Sequence, residues 1–196
     1  MSSPRLGAAF LILWGLCGLA GSAARADGAL PDLSDWPAAA QAAATDMQKK
    51  YGPPQGVSAT MLVWGEIGPW KRSIIHKQAV QHDFPEPHTD VLEQTLNYRV
   101  PADKVDELTS YNGSLVVART RGELSVSSNS EPANFLTINL AHDILGGAKT
   151  VEEARDFHAR TIHQVMDGDG PEYTRGFTFA PSPGQTADPD LPTLIE

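Results

Sequence analysis

Three of the six histidines fall in one stretch, at His76, His82 and His88, interleaved with Asp83, Glu86, Asp90 and Glu93. Neutral imidazole nitrogen and carboxylate oxygen together suit Zn²⁺, Fe²⁺, Mn²⁺ or Cu²⁺. His76, His82, His88 and Asp90 are therefore the candidate metal ligands. A set of two histidines and one carboxylate, such as His82, His88 and Asp90, leaves coordination positions open for water. Glu86 or Glu93 would then be the base that takes the water's proton. Even spacing puts His76 and His82 on one face of a strand. Pro85 and Pro87 force an extended loop after it, whose side chains turn back toward them. The spacing matches no established zinc pattern, and the competing reading is a solvated loop packed through Phe84, its histidines bonded to backbone.

A second group lies on a helix expected over residues 131–145. Leu136, Ile138, Leu140, Ala141, Ile144 and Leu145 fill a broad apolar arc, and Asn139, His142 and Asp143 share the remaining side. That strip either lines a pocket, lending a ligand to the histidine stretch, or is the wet face. Asn134 falls within the apolar arc near the first turn, where it caps or pairs. His158 follows the inward spacing of Ala154, Ile162 and Val165 and reads as a hydrogen-bonded core histidine, with His163 on the surface. Gly68-Pro69-Trp70-Lys71-Arg72 joins a stiff turn, an aromatic and two cations, suited to an anion or to a plain hairpin tip. Asp167-Gly168-Asp169-Gly170 is an incomplete calcium loop and reads as a helix stop. There is no G-x-S-x-G, phosphate loop, dinucleotide fingerprint, HExxH or paired CxxC, which leaves hydrolases and nucleotide enzymes of those types without support.

The elements that must position these groups follow from local signals. Ser34 or Asp35 caps an alanine-rich helix with Pro37 in its first turn, ending before Gly52-Pro53-Pro54. Residues 57–64 and 70–80 read as strands around a turn at 65–69, and 93–100 as a third strand. A short helix runs from 101 to 108. Residues 115–120 and 123–128 make another hairpin around Arg121-Gly122. Ser130 caps the helix 131–145, and Gly146-Gly147 end it. Thr150 with Glu153 is a capping box for a helix to about 166. Residues 175–179 read as a last edge strand and 181–196 as a flexible tail. Hairpins in place of strand–helix–strand repeats predict an α+β fold: an antiparallel sheet of about five or six strands, helices packed on one face, in a single domain spanning 27–180.

The chain has 196 residues, 24 acidic and 15 basic, for a net charge of −9. That balance offers no footprint for nucleic acid. Residues 1–26 read as a cleaved signal peptide: Arg5, an apolar run from Leu6 to Ala20, and Ala24-Arg25-Ala26 as the cleavage site. The run is shorter than a bilayer span, so no stable membrane span is expected after cleavage. Cleavage removes Arg5, Arg25 and the lone Cys17, taking the charge to −11 and leaving 170 residues without cysteine. Disulfides, thiolate metal sites, iron–sulfur clusters and a cysteine nucleophile are thereby excluded.

The phrases Lys50-Tyr51-Gly52-Pro53-Pro54, Gly68-Pro69-Trp70-Lys71-Arg72, His82-Asp83-Phe84-Pro85-Glu86-Pro87-His88, Leu92-Glu93-Gln94, Tyr98-Arg99-Val100-Pro101 and Asn134-Phe135-Leu136 together resemble a family of exported bacterial proteins to which no activity is attached. The resemblance covers roughly residues 45–180, implies an exported bacterial domain, and transfers no functional residue. Three readings follow. The first is a periplasmic or secreted accessory protein that binds a metal or small ligand through residues 76–90, with Asn139, His142 and Asp143 as a pocket. The second is a small metal-dependent enzyme built on His82, His88 and Asp90. The third is an envelope interaction module that presents an exposed hairpin around Trp64 and Trp70 to a protein partner, its histidines structural. Substrate, partner and oligomeric state stay open at this level.

Overall fold

Alternating strand residues meet helix faces in a six-stranded antiparallel sheet of order β1-β2-β3-β4-β6-β5. The strands are β1 (Gly56–Val57), β2 (Met61–Trp64), β3 (Arg72–His82), β4 (His88–Asn97), β5 (Leu115–Ala118) and β6 (Glu123–Ser128). The helices are α1 (Ala38–Tyr51), α2 (Val105–Tyr111), α3 (Glu131–Leu145) and α4 (Val151–Met166). A computed structural model describes residues 30–181 and 184–193. The signal peptide expected at 1–26 lies outside the described residues. Among those described, no helix is long and apolar enough to cross a membrane.

One sheet face is apolar and covered. Trp64, Ile75, Leu92, Leu96, Leu124 and Val126 are buried on it. The small residues Ala40, Ala43 and Ala44, with Met47, let α1 sit close over β3 and β4. Helix α3 crosses β4 and β6 and is itself covered by α4 and the segment that follows it. Residues 134–141 are consequently buried in unbroken succession, as befits a helix enclosed on all sides. The opposite sheet face is polar. On it, Arg72 and Lys71 each lie 2.9 Å from Glu123; burial opposes the Glu123 charge, but the two cations hold its pKa down to about 2.

Local expectations are met in the α4 capping box, where Thr150 and Glu153 exchange both bonds. Others are corrected. Residues 57–64 are two strands, divided by a Ser58 turn whose hydroxyl accepts from Met61 N–H. β4 begins at His88, five residues before the expected start. The α1 cap position is Pro37, without a side-chain cap, and Asp35 pairs instead with Lys77. Ser130 precedes α3 without a side-chain cap. Residues 175–179 form no strand; after a 3₁₀ turn at Glu172–Thr174, Phe177 and Phe179 lie against the core around α3.

A polar seam lies where α1 and α3 meet on the sheet. Glu131, at the start of α3, accepts from Tyr51 Oη (2.7 Å), Trp70 Nε1 (2.8 Å) and Gln94 Nε2 (3.3 Å), and pairs with Lys50. Asn134 donates to Leu92 O and Gln94 Oε1. One carboxylate thus ties α1, β4 and the residue leading into β3 to α3.

Gly122 closes the β5–β6 turn at φ +63°. The backbone of Thr186 sits where a side chain at 122 would begin. Thr186 Oγ1 donates to Gly122 O at 2.8 Å, Asp188 N–H donates to Arg119 O, and Arg119 pairs with Asp188 and Asp190. The described part of the segment expected as a flexible tail is therefore laid against this turn. Gly122→Ala should cost about 1–2 kcal/mol from the left-handed backbone alone and release residues 184–193. Urea unfolding and limited proteolysis measure both, and C-terminal cleavage as slow as in the parent would refute the docking.

Candidate metal centre

The β3–β4 hairpin carries the histidine stretch, and an irregularity in it decides which residues meet. Ile75 pairs with Leu92, but the next pair is Val80 with Asp90, followed by His82 with His88. Residues 76–79 of β3 thus stand opposite Val91 alone. Three extra residues, an odd number, exchange the two faces of β3 beyond the bulge. Lys77 N–H, freed from β4, donates to Thr60 O at 2.8 Å. His76, next to the inward Ile75, lies on the polar face, 3.2 Å from Glu93. That His76 bond, over the opposition of burial, lowers the Glu93 pKa. His82 lies on the helix side with His88 and Asp90. Of the four expected ligands, three come together and His76 does not.

His82, His88 and Asp90 each offer a donor atom within 4.8 Å of the others. Asp90 is 7% exposed, and the two imidazoles are mostly buried, their ring centroids 4.9 Å apart. His82 Nδ1 is 3.2 Å from both Asp90 Oδ2 and Ser114 Oγ, and the Ser114 hydroxyl donates to Asp90 Oδ2. His88 Nδ1 lies 2.8 Å from Glu86 O. A carbonyl only accepts, so this nitrogen carries the proton. His88 Nε2 is then a lone pair when the ring is neutral, and it lies 3.1 Å from Asp90 Oδ1. That oxygen is buried without a hydrogen-bond partner. Two acceptors held this close need a proton or a cation between them. Without a cation, the Asp90 carboxylate raises the His88 pKa against the opposing effect of burial. Burial pushes Asp90 up, but His88, the Ser114 hydroxyl and His82 together bring it below the usual carboxylate value.

The hairpin tip is anchored through Phe84. The Arg155 guanidinium lies 3.8 Å over its ring and donates to Tyr111 O at 2.7 Å, and His158 meets the ring edge-on at 5.0 Å. His158 is the core histidine expected, bonded through Nδ1 to Tyr111 Oη at 2.8 Å. Burial first, then the nearby His82, His88 and Arg155, lower its pKa from 6.5 to about 3. The unfolded chain therefore takes up a proton near pH 6.5 that the folded chain refuses until about pH 3. Stability from this group is fully present above pH 6.5 and declines as the pH falls, at up to about 1.4 kcal/mol per pH unit. Urea unfolding of His158→Gln between pH 6.5 and 4 should show a shallower slope than the parent. Equal slopes would remove His158 as the cause.

A cleft of about 370 Å³ opens beside the cluster. His82, His88 and His158 line it, together with Phe84, Pro132, Ala133, Ile162, Val165 and Met166. Asp90 stands behind the histidines and lines a shallower hollow of about 290 Å³ with His76, Glu93 and Ser114.

The other expected site residues serve packing. Asn139 is fully buried, donating to Tyr173 O and Gly176 O and accepting from Thr178 N–H. His142 bonds Tyr98 Oη at 2.7 Å and stacks on Phe179 at 4.0 Å. Asp143 accepts from Lys149 Nζ and Tyr173 Oη. Together they fasten residues 173–179 to α3, so the expected pocket strip is a staple. Trp64 and Trp70 are 0% and 2% exposed, so the expected exposed hairpin presents neither ring. Glu86 pairs with His163 at 3.5 Å. Ser114 was not singled out by the sequence: its contact with Asp90 spans 24 residues, and its only local signal is an Asx turn from Asn112. No protein-family model matches the chain, and comparison with curated proteins and with solved structures finds no match to either.

Proposed function

We propose that this protein binds one divalent transition metal ion through His82, His88 and Asp90, as an exported bacterial binding protein. The carrying observation is the buried Asp90 Oδ1, without a hydrogen bond, 3.1 Å from His88 Nε2, two groups that a cation could share. Donors around a tetrahedral ion with bonds of about 2.0–2.1 Å lie about 3.3 Å apart. The 3.1 Å from His88 Nε2 to Asp90 Oδ1 suits that edge, and one donor atom from each of the three residues lies within 4.8 Å of the others. Ser114 and the Glu86 carbonyl orient Asp90 and His88 from outside, the role such partners play around protein-bound metals. Three protein ligands leave a position open, unlike the four of a structural zinc site. The donor set suits Zn²⁺, Fe²⁺, Mn²⁺ and Cu²⁺.

Of the two candidate bases, Glu93 is held by His76 on the other sheet face, and Glu86, in the wall of the cleft beside the cluster, pairs with His163. Export rests on the charged, apolar and small-residue segments of 1–26. The test is elemental analysis and calorimetric titration of the chain recovered from a periplasm without chelator, with N-terminal sequencing of the same sample. About one equivalent of metal and an N-terminus at Asp27 are expected. A folded protein that takes up none of the four ions overturns the metal; retention of Met1 overturns the cleavage.

A further inference from the structure

We infer that the open position of this metal takes the anionic head of a small apolar monoacid, a carboxylic or hydroxamic acid with an aryl or branched alkyl body, seated in the cleft between the hairpin tip, α3 and α4. The inference rests on the metal reading above and extends it to the ligand.

Size, charge and lining converge on that class. About 370 Å³ lies at the lower end of small-molecule sites, which are mostly apolar with a few placed polar groups. His82 and His88 stand in the wall with Asp90 behind them, so an ion on the three lies next to the cleft. Phe84, Pro132, Ala133, Ile162, Val165 and Met166 give the cleft its apolar surface, and Asn112, Asn129, Thr137, Thr174, Ser127, Ser128 and Ser130 add uncharged polar groups. Histidines aside, the one ionisable side chain in its wall is Glu86, a carboxylate. Arg155, the nearest support to Phe84, has its guanidinium on that ring and its Nη1 on Tyr111 O. An entering anion therefore finds its positive partner in the ion alone. A divalent ion with Asp90 and two neutral imidazoles carries one net positive charge, which a monoanion neutralises. A phosphate dianion would leave a charge unmatched near Glu86 in a cleft without a second cation, which is costly. His158, kept neutral by burial, adds no cation to the wall.

The experiment loads the full mature chain with Co²⁺, whose visible bands report its ligands, and titrates acetate, 3-phenylpropionate and inorganic phosphate by absorption and calorimetry. 3-Phenylpropionate should shift the cobalt bands and bind at least about tenfold tighter than acetate, the difference that partial burial of one ring supplies. Phosphate should bind more weakly than 3-phenylpropionate. Ala133→Phe fills the cleft from α3 and should erase the tenfold preference while one equivalent of cobalt is retained. Met166→Trp, at an exposed rim position, is a second blocker should the first disturb folding. Cobalt bound with equal affinity for acetate and 3-phenylpropionate overturns the ligand inference and leaves the metal reading standing. Phosphate binding as tightly as the aryl acid overturns the class. Failure to bind cobalt or Zn²⁺ at all overturns both.

Discussion

Asp90→Asn should lose the metal and keep the fold. The amide has nearly the carboxylate's shape, so its carbonyl still accepts from Ser114 while its NH₂ faces His88 Nε2 at the 3.1 Å now held by Oδ1. An N–H donor meeting a ring lone pair satisfies both groups with no cation. Metal affinity should fall by more than about 100-fold, since disturbing an outer partner alone costs 10–100-fold. Calorimetry with Zn²⁺ reads this directly, and His82→Ala and His88→Ala should behave likewise. His76→Ala should bind within about twofold of the parent, because that ring lies on the other sheet face against Glu93. Parent protein with free metal at 100 times Kd should gain about 2.7 kcal/mol of stability, and Asp90→Asn none. The metal-free proteins should differ in pH response too. The His88 pKa is raised, so its contribution is complete below its ordinary value of 6.5 and fades as the pH rises through the higher folded value. Asp90→Asn removes that loss on the alkaline side. An Asp90→Asn protein that keeps parental zinc affinity would end the metal assignment at this residue.

Glu131→Ala should be the most damaging single change away from the metal. It strips the acceptor from Trp70 Nε1, Tyr51 Oη and Gln94 Nε2 and leaves Lys50 without its partner. Trp70 and Gln94 are almost wholly buried, so water cannot replace the lost bonds there. Each buried donor left unmade costs about 1–3 kcal/mol, and breaking a buried ion pair about 3–5 kcal/mol. Lys50 is half exposed and recovers solvent, which places the total near the lower figures. A loss of roughly 3–5 kcal/mol should lower Tm by about 10–15 °C in a domain of this size. Glu131→Gln retains one acceptor and should lose less than half as much. Thermal unfolding of the two variants, with zinc titration as a control for the intact site, distinguishes seam from site. A change below 1 kcal/mol in Glu131→Ala would show that the seam contributes little.

Much of the architecture was readable because its determinants are local. The Thr150–Glu153 cap, the Arg121-Gly122 turn and the apolar arc of residues 136–145 each act within a few positions, and the elements they predict are present. Pairing these hairpins into one antiparallel sheet followed from the short connections. What the sequence concealed was long-range. Asn139, His142 and Asp143 looked like a wet strip because nothing near them announces that residues 173–179 return to cover α3. Trp64 and Trp70 flank a turn, a usual place for exposed side chains, yet distant Gly52 and Glu131 take their indole N–H groups into the interior. The clustering of His82, His88 and Asp90 was legible because they share one hairpin, and His76 was placed with them by counting residues evenly through a bulge.

That bulge makes the centre sensitive to a kind of change that residue identity does not describe. Lys77, Gln78 and Ala79 bring no donor atom to the His82–His88–Asp90 cluster, so substitutions among them should leave its three donors in place. Their number is another matter. Losing or gaining one residue between Ile75 and Val80 reverses the phase of everything toward the tip, turning His82 to the polar face while every ligand remains in the chain. Descendants of this sequence can therefore drift freely in composition through the segment and keep the centre, whereas a single codon inserted or deleted there abolishes it in one step.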